Sequence, residues 1–128
     1  MIQSFFPLSG EKNSAKIGGA EIEIELADTL EERIRGLSGR AELPPDRGML
    51  FIYDQPDLYG IWMKDMNFPI DIIWFGPDKK IAGISENVKP ESFPEIFKPP
   101  EPVNYILEVN AGFADNNGIK TGDEIEWR

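Results

Sequence analysis

The sequence predicts a mainly β fold, a small β-sandwich or barrel-like domain of about seven short strands with two short helices. Three observations carry that expectation. Eleven prolines and twelve glycines in 128 residues punctuate the chain too often for a helix bundle. Between them lie short apolar or alternating runs of strand length, and only two stretches carry helix-capping signals. At 41% hydrophobic and 28% charged residues, the chain can close a core without a disulfide or a metal.

Residues 1–13 show no clear period and read as an N-terminal arm on one globular domain spanning 1–128. Gly18-Gly19, between Lys16-Ile17 and Ala20, reads as a hairpin turn. From Glu21 to Leu26 the alternation is strict: Ile22, Ile24 and Leu26 face a core, and Glu21, Glu23 and Glu25 face water. Asp28-Thr29 opens a short helix, with Thr29 and Glu32 at capping-box spacing. Leu30, Ile34 and Leu37 form one helical stripe expected to pack on the sheet, and Gly36 or Gly39 ends the helix.

Residues 48–53 form an apolar strand after the Pro44-Pro45-Asp46 turn, 54–57 a polar loop, 59–64 a second strand, and Met66-Asn67-Phe68-Pro69 a bend. Residues 70–75 are apolar on both faces except at Asp71, the pattern of a central strand. Gly76-Pro77-Asp78-Lys79 turns the chain into a strand over 80–86. Five prolines (Pro90, Pro94, Pro99, Pro100 and Pro102) make 88–102 an ordered excursion, expected to be pinned by Phe93, Ile96 and Phe97. Over 103–109, Tyr105, Leu107 and Val109 alternate against Ile106 and Glu108. Asn110 is placed to cap a short helix running to Asn117 and closed by Gly118, and Gly122-Asp123 turns into a last strand over 124–127.

The charge balance, 23 acidic against 13 basic residues, gives a net charge of -10 and argues against nucleic acid as a direct partner. With no cysteine and no histidine, the chain has no thiol chemistry, no Ser-His-Asp triad and no zinc site built on those ligands. It also lacks Gly-rich phosphate loops, EF-hand spacing and the Rossmann fingerprint, so neither cofactor nor metal is assigned. No run approaches the roughly 20 apolar residues of a membrane span. Residues 1–8 have no basic start of the kind a signal peptide shows. A cytoplasmic location is the default, although a mature exported domain would look the same; oligomeric state is left open.

Chemistry-bearing residues concentrate in two places. Four of the five arginines, Arg33, Arg35, Arg40 and Arg47, lie in one stretch of an acidic protein. Arginine suits carboxylate and phosphate recognition, and the bland alternative is surface pairing with Glu31, Glu32, Glu42 and Asp46. The alternative is favoured for Arg35 and Arg47, whereas Arg33 and Arg40 are kept as ligand-binding candidates. Trp62-Met63-Lys64 sets an aromatic plate beside an ammonium, suited to a ligand with an apolar body and an anionic end. The competing reading is a core Trp62 under a snorkelling Lys64. Asp71, a carboxylate in an apolar strand, needs partners, sought among Lys64, Arg33, Arg40 and the backbone amides of the bend before Pro69. It is either a structural brace or part of a site, and Glu108 repeats the question more weakly. The leading expectation is a non-catalytic binding module for a small-molecule or peptide-like ligand with an anionic group. Its site would be Arg33, Arg40, Trp62, Lys64 and Asp71. The alternative is an enzyme using Asp71 and Glu108 as acid/base groups, with lysine or arginine stabilising developing charge.

The same residues resemble a known family. Ala27-Asp28-Thr29, Glu32-Arg33, Gly36-Leu37 and Arg40 are similar to its first motif. Gly48-Met49-Leu50-Phe51, Trp62-Met63-Lys64 and Pro69-Ile70-Asp71-Ile72 resemble its centre. Leu107-Glu108, Gly112, Gly118 and Gly122-Asp123 resemble its end. The family is that of domain of unknown function 192, and the resemblance runs from residue 16 to the C-terminus. It implies a compact, predominantly β fold with no established activity and many relatives bearing an export signal or lipid anchor. Two departures stand out. Ser38 occupies a position where the family has Met, so a pocket lined there would be smaller or more polar. Asp65 and then Met66 stand where the family's pattern is often Thr-like.

Overall fold

The structure, a computed structural model, describes residues 13–128. The expected arm lies outside these residues apart from Asn13, which begins β1 (Asn13–Ile17). Then follow β2 (Ala20–Ala27), α1 (Leu30–Arg35), β3 (Arg47–Asp57), β4 (Ile70–Phe75), β5 (Ile81–Val88), β6 (Val103–Asn110), α2 (Phe113–Asn116) and β7 (Ile125–Trp127). The seven strands form one sheet, in the order β5-β4-β6-β3-β2-β1-β7, curled into a half-barrel. The two edges approach at one end, where the Ile81 amide donates to the Asp123 carbonyl at 2.8 Å and the Ile125 amide to the Lys79 carbonyl at 3.0 Å.

Period-two patterning explains the two apolar layers. Inside the curl, side chains from all seven strands meet, among them Ile17, Ile24, Leu50, Phe75, Ile81, Leu107 and Ile125, and α2 closes that layer through Phe113 and Ala114. The outer face of the inner strands carries Met49, Phe51, Ile72, Trp74 and Ile106, and loop residues Leu37, Leu43, Met63 and Met66 cover it. β4 is buried at every position because both of its faces are covered. β2 and β3 pair in parallel, and the helix α1 belongs to the crossover that such pairing requires. Gly48 lets β3 lie against β6, since a Cβ there would stand 2.9 Å from Val109 Cγ1 and 3.0 Å from the Glu108 carbonyl oxygen.

Several local expectations are corrected. The capping box at Thr29 and Glu32 forms, but α1 is only six residues long and buries none of them. Gly36, at φ 52°, turns the chain after the helix, so that Leu37 drops into the outer layer while Leu30 and Ile34 stay exposed. Residues 54–57 extend β3 rather than forming a loop. Residues 59–64 form no strand: they meet the proline-rich excursion through one bridge, Ile61 with Phe97, and Asp65 adopts a positive φ of 59°. In that excursion Phe97 packs on the outer layer, whereas Phe93 and Ile96 are exposed. Asn110 belongs to β6, its amide donating to the Leu43 carbonyl at 2.7 Å, and Gly112 caps α2 instead. No helix among the described residues is long and apolar enough to cross a membrane.

Candidate functional site

Two segments rise over the outer face of the sheet and leave a cleft between them. One is α1 with the turn 36–38, and the other is the loop 60–66. Three bonds tie the segments together at one end: Gly39 amide to Asp65 carbonyl at 2.8 Å, Ser38 Oγ to Lys64 carbonyl at 2.9 Å, and Asn67 amide side chain to Arg40 carbonyl at 2.8 Å. The cleft holds about 330 Å³, with Phe51 and Tyr53 of β3 and Glu108 of β6 from the sheet, Arg33 and Ile34 from the helix and Trp62 from the loop.

Of the predicted residues, Arg33 and Trp62 meet in this cleft, and Glu108 joins them. The Arg33 Nη1 donates to the Ile52 carbonyl at 3.0 Å, and the guanidinium lies 4.9 Å from the centre of the Tyr53 ring. Trp62 is 47% exposed, too open for the core role considered for it. Its ring meets Phe93 at 5.1 Å. Lys64 shares no strand face with Trp62 and does not line the cleft, although its Nζ lies 5.8 Å from the Trp62 ring.

Arg40 stands elsewhere, in a second groove beside α1 of about 370 Å³ that Glu25, Glu31, Glu32 and Arg35 also line. It makes a bidentate pair with Glu25 at 2.6 and 2.8 Å. That hydrogen bond holds the Glu25 carboxyl below its ordinary value and raises Arg40. Arg47 pairs with Glu23 at 3.1 Å. Neither pairing partner is one of the neighbouring acids proposed from sequence. Arg33 and Arg35, in contrast, make no ion pair among the described residues.

Asp71 points to the inside of the curl and is fully buried. Its Oδ1 accepts from the Asn87 amide at 2.8 Å and its Oδ2 from the Ala114 amide at 3.0 Å, so it staples α2 and the end of β5 to β4. The partners are backbone amides from distant segments, not Lys64, Arg33, Arg40 or the bend before Pro69. Glu108 projects from the opposite face, since its cross-strand neighbours Ile72 and Met49 belong to the outer layer while Asp71's neighbour Val109 belongs to the inner one. The two carboxyls therefore share no cleft. Glu108 is only 4% exposed, and burial pushes its carboxyl up to about 8. Burial also raises Tyr53, with Arg33 opposing and Tyr59 and Glu108 adding to the rise.

Residues 13–127 match the model of the family of domain of unknown function 192, described as "Uncharacterized ACR". The chain belongs to this family. A structure from Sinorhizobium meliloti 1021, described as a "putative transcription regulator", is 34% identical with a TM-score of 0.85, covering 91% of this chain and 94% of that one. A protein of unknown function from Novosphingobium aromaticivorans DSM 12444 is 32% identical with a TM-score of 0.82, covering 97% of this chain and 91% of its own. No curated protein matches the chain.

Within the family frame, the departure at Ser38 falls on the cleft, which Ser38 lines. Its hydroxyl donates to the Lys64 carbonyl at 2.9 Å, and a side chain shorter than Met leaves more room there rather than less. Tyr53, Phe51 and Met66 also line the cleft and were not singled out from sequence. The signal that could have found the first two is the period-two row Met49, Phe51, Tyr53, once β6 is laid beside β3 with Glu108 opposite Met49.

Proposed function

We propose that this domain is a non-catalytic binding module whose cleft between α1 and the loop 60–66 takes a small or peptide-like ligand with an apolar body and an anionic end. One observation carries the reading: among the described residues the cleft's two arginines, Arg33 and Arg35, have no acid partner, and the one acid that lines it, Glu108, is buried, which pushes its carboxyl up to about 8. In a chain of net charge -10, whose other clustered arginines are neutralised by Glu25 and Glu23, such a positive cleft is an exception that favours an anion. Trp62, Ile34 and Leu30 supply exposed apolar surface for the rest of the ligand.

Catalysis is the weaker reading, because Asp71 cannot serve as the partner of Glu108 and the remaining polar side chains of the cleft are arginines, Tyr53 and Ser38. Direct contact with nucleic acid is disfavoured by the charge, whatever the Sinorhizobium protein does. A thermal-shift and NMR screen of anionic metabolites, sugars and short peptides tests the reading. Ligands should be found whose response is lost in Arg33→Ala and weakened in Lys64→Ala. Ligands that bind equally well to both variants would place the site elsewhere.

A further inference from the structure

Glu108 carries information that deepens the reading above and rests on it. Its carboxyl is buried in the wall of a cleft that opens to solvent, and no residue described in the structure hydrogen-bonds or pairs with it. A buried carboxyl normally has a partner, and here the available direction is the cleft itself. The charged and titratable groups around it are few. Arg33 faces the cleft from the helix side, Arg35 borders both the cleft and the groove of Glu25, Glu31 and Glu32, and Tyr53 faces the cleft from β3. Its cross-strand neighbours, Met49 on β3 and Ile72 on β4, are apolar, and the loop 60–66 contributes Trp62 and Met66.

We propose that Glu108 is the specificity-determining residue of this cleft, its carboxyl donating a hydrogen bond to a carboxylate whose other oxygen meets Arg33, so that the ligand is a monocarboxylic acid with an apolar or aromatic body. The residues nearby favour this class over its rivals. Arg33 already gives Nη1 to the Ile52 carbonyl and lies 4.9 Å from the centre of the Tyr53 ring, and its remaining N–H donors suit a planar anion. An acid O–H facing a carboxylate forms a short, charge-assisted hydrogen bond. A cation would find two arginines and an uncharged acid. With Glu108 titrating near 8, binding is strongest where the carboxyl keeps its proton and is lost as rising pH removes it. The same chemistry is offered by a small organic acid or by a peptide's C-terminal carboxylate.

The test is an NMR titration of the protein with phenylacetate, hexanoate and the dipeptide Ala-Phe, alongside their amides, phenethylamine, phenyl phosphate and benzenesulfonate. The resonances read are those of Tyr53, Gly60 and the Trp62 indole. The acids should bind and the amides and amine should not. Glu108→Leu should weaken the acids about tenfold, while Glu108→Gln, which keeps a donor, stays within about threefold. Raising the pH from about 6 to about 9 should weaken wild type but not Glu108→Gln. A preference for Ala-Phe over phenylacetate would identify the peptide terminus as the source, and the reverse a small acid. Acids that need Arg33 but ignore both Glu108 variants would overturn this proposal while leaving the anion-binding reading intact, as would binding of the phosphate or sulfonate alone. An amine that binds more tightly at high pH would overturn both, and silence across the whole panel would overturn the carboxylate assignment.

Discussion

Asp71 on β4 and Glu108 on β6 stand on adjacent strands of the same sheet, both acidic and both buried. Asp71 faces the inside of the curl and accepts one backbone amide on each oxygen. Glu108 faces the outer layer, in a cleft wall, and accepts none among the described residues. The first carboxylate is integrated into the fold because two segments far apart in sequence depend on it. The second burdens the fold with a group that burial keeps protonated to about 8, and nothing in the described chain repays it. Burial alone thus does not separate a brace from a site. Counting hydrogen bonds does.

The largest effect expected from that contrast belongs to Asp71. Replacing it with Ala leaves the buried Ala114 amide and the partly buried Asn87 amide without an acceptor, at about 1–3 kcal/mol for the first and less for the second, so urea unfolding should show a loss of about 2–5 kcal/mol. Asp71→Asn keeps one acceptor and should lose roughly half as much. A neutral Asp71→Ala would erase the distinction between the two acids.

Glu108 should behave in the opposite sense. Its folded value near 8 lies above the ordinary 4.5, so the folded state holds the proton after the unfolded chain has released it. Its contribution is therefore fully present below 4.5, declines by up to about 1.4 kcal/mol per pH unit as pH climbs towards 8, and is flat above that. Glu108→Gln removes this slope. Its stability relative to wild type should improve by on the order of 2–4 kcal/mol between about pH 5 and pH 9, read by denaturant midpoints at each pH. Parallel pH profiles for the two proteins would show that Glu108 is not held protonated.

Gly48 tests the strand contact next to both acids. Alanine there presses on Val109, the cross-strand neighbour of Asp71, and on the Glu108 carbonyl, and should cost about 1–3 kcal/mol in the same assay. Arg33→Ala comes last: one hydrogen bond and one ring contact near the surface are worth about 1 kcal/mol or less, so the melting temperature should hardly move. A large loss of stability in Arg33→Ala would recast that arginine as a second brace like Asp71.

Much of the fold could be read from local pattern. The Gly18-Gly19 hairpin, the capping box at Thr29 and Glu32, the doubly buried run 70–75 and the alternation of Leu107 against Glu108 are all present. Each depends on neighbours a few residues away. The errors fall where distant chain decides. Leu30 and Ile34 have helical spacing, but Gly36 ends the helix before their stripe reaches the sheet. Residues 59–64 are apolar enough for a strand, but the loop is held instead by Gly39, Ser38 and Phe97. Among the arginines, charge and position look alike in sequence. Only the tertiary packing, which puts Glu25 beside Arg40 and Tyr53 near Arg33, divides those with an acid partner among the described residues from those without one.

By itself, the sequence determined that this chain is a mainly β domain without thiol or imidazole chemistry, carries a strong negative charge and places its acids and arginines at particular positions along strands and turns. Periodicity sets which face of a strand a side chain takes, and that much is local. The tertiary structure alone decided what stands opposite that face. The antiparallel pairing of β4 with β5 and β6 put backbone amides in front of Asp71, and the pairing of β6 with β3, between segments far apart in the chain, put an open cleft in front of Glu108. A carboxyl group's proton affinity and use depend on those neighbours, and they come from segments that no local pattern brings together.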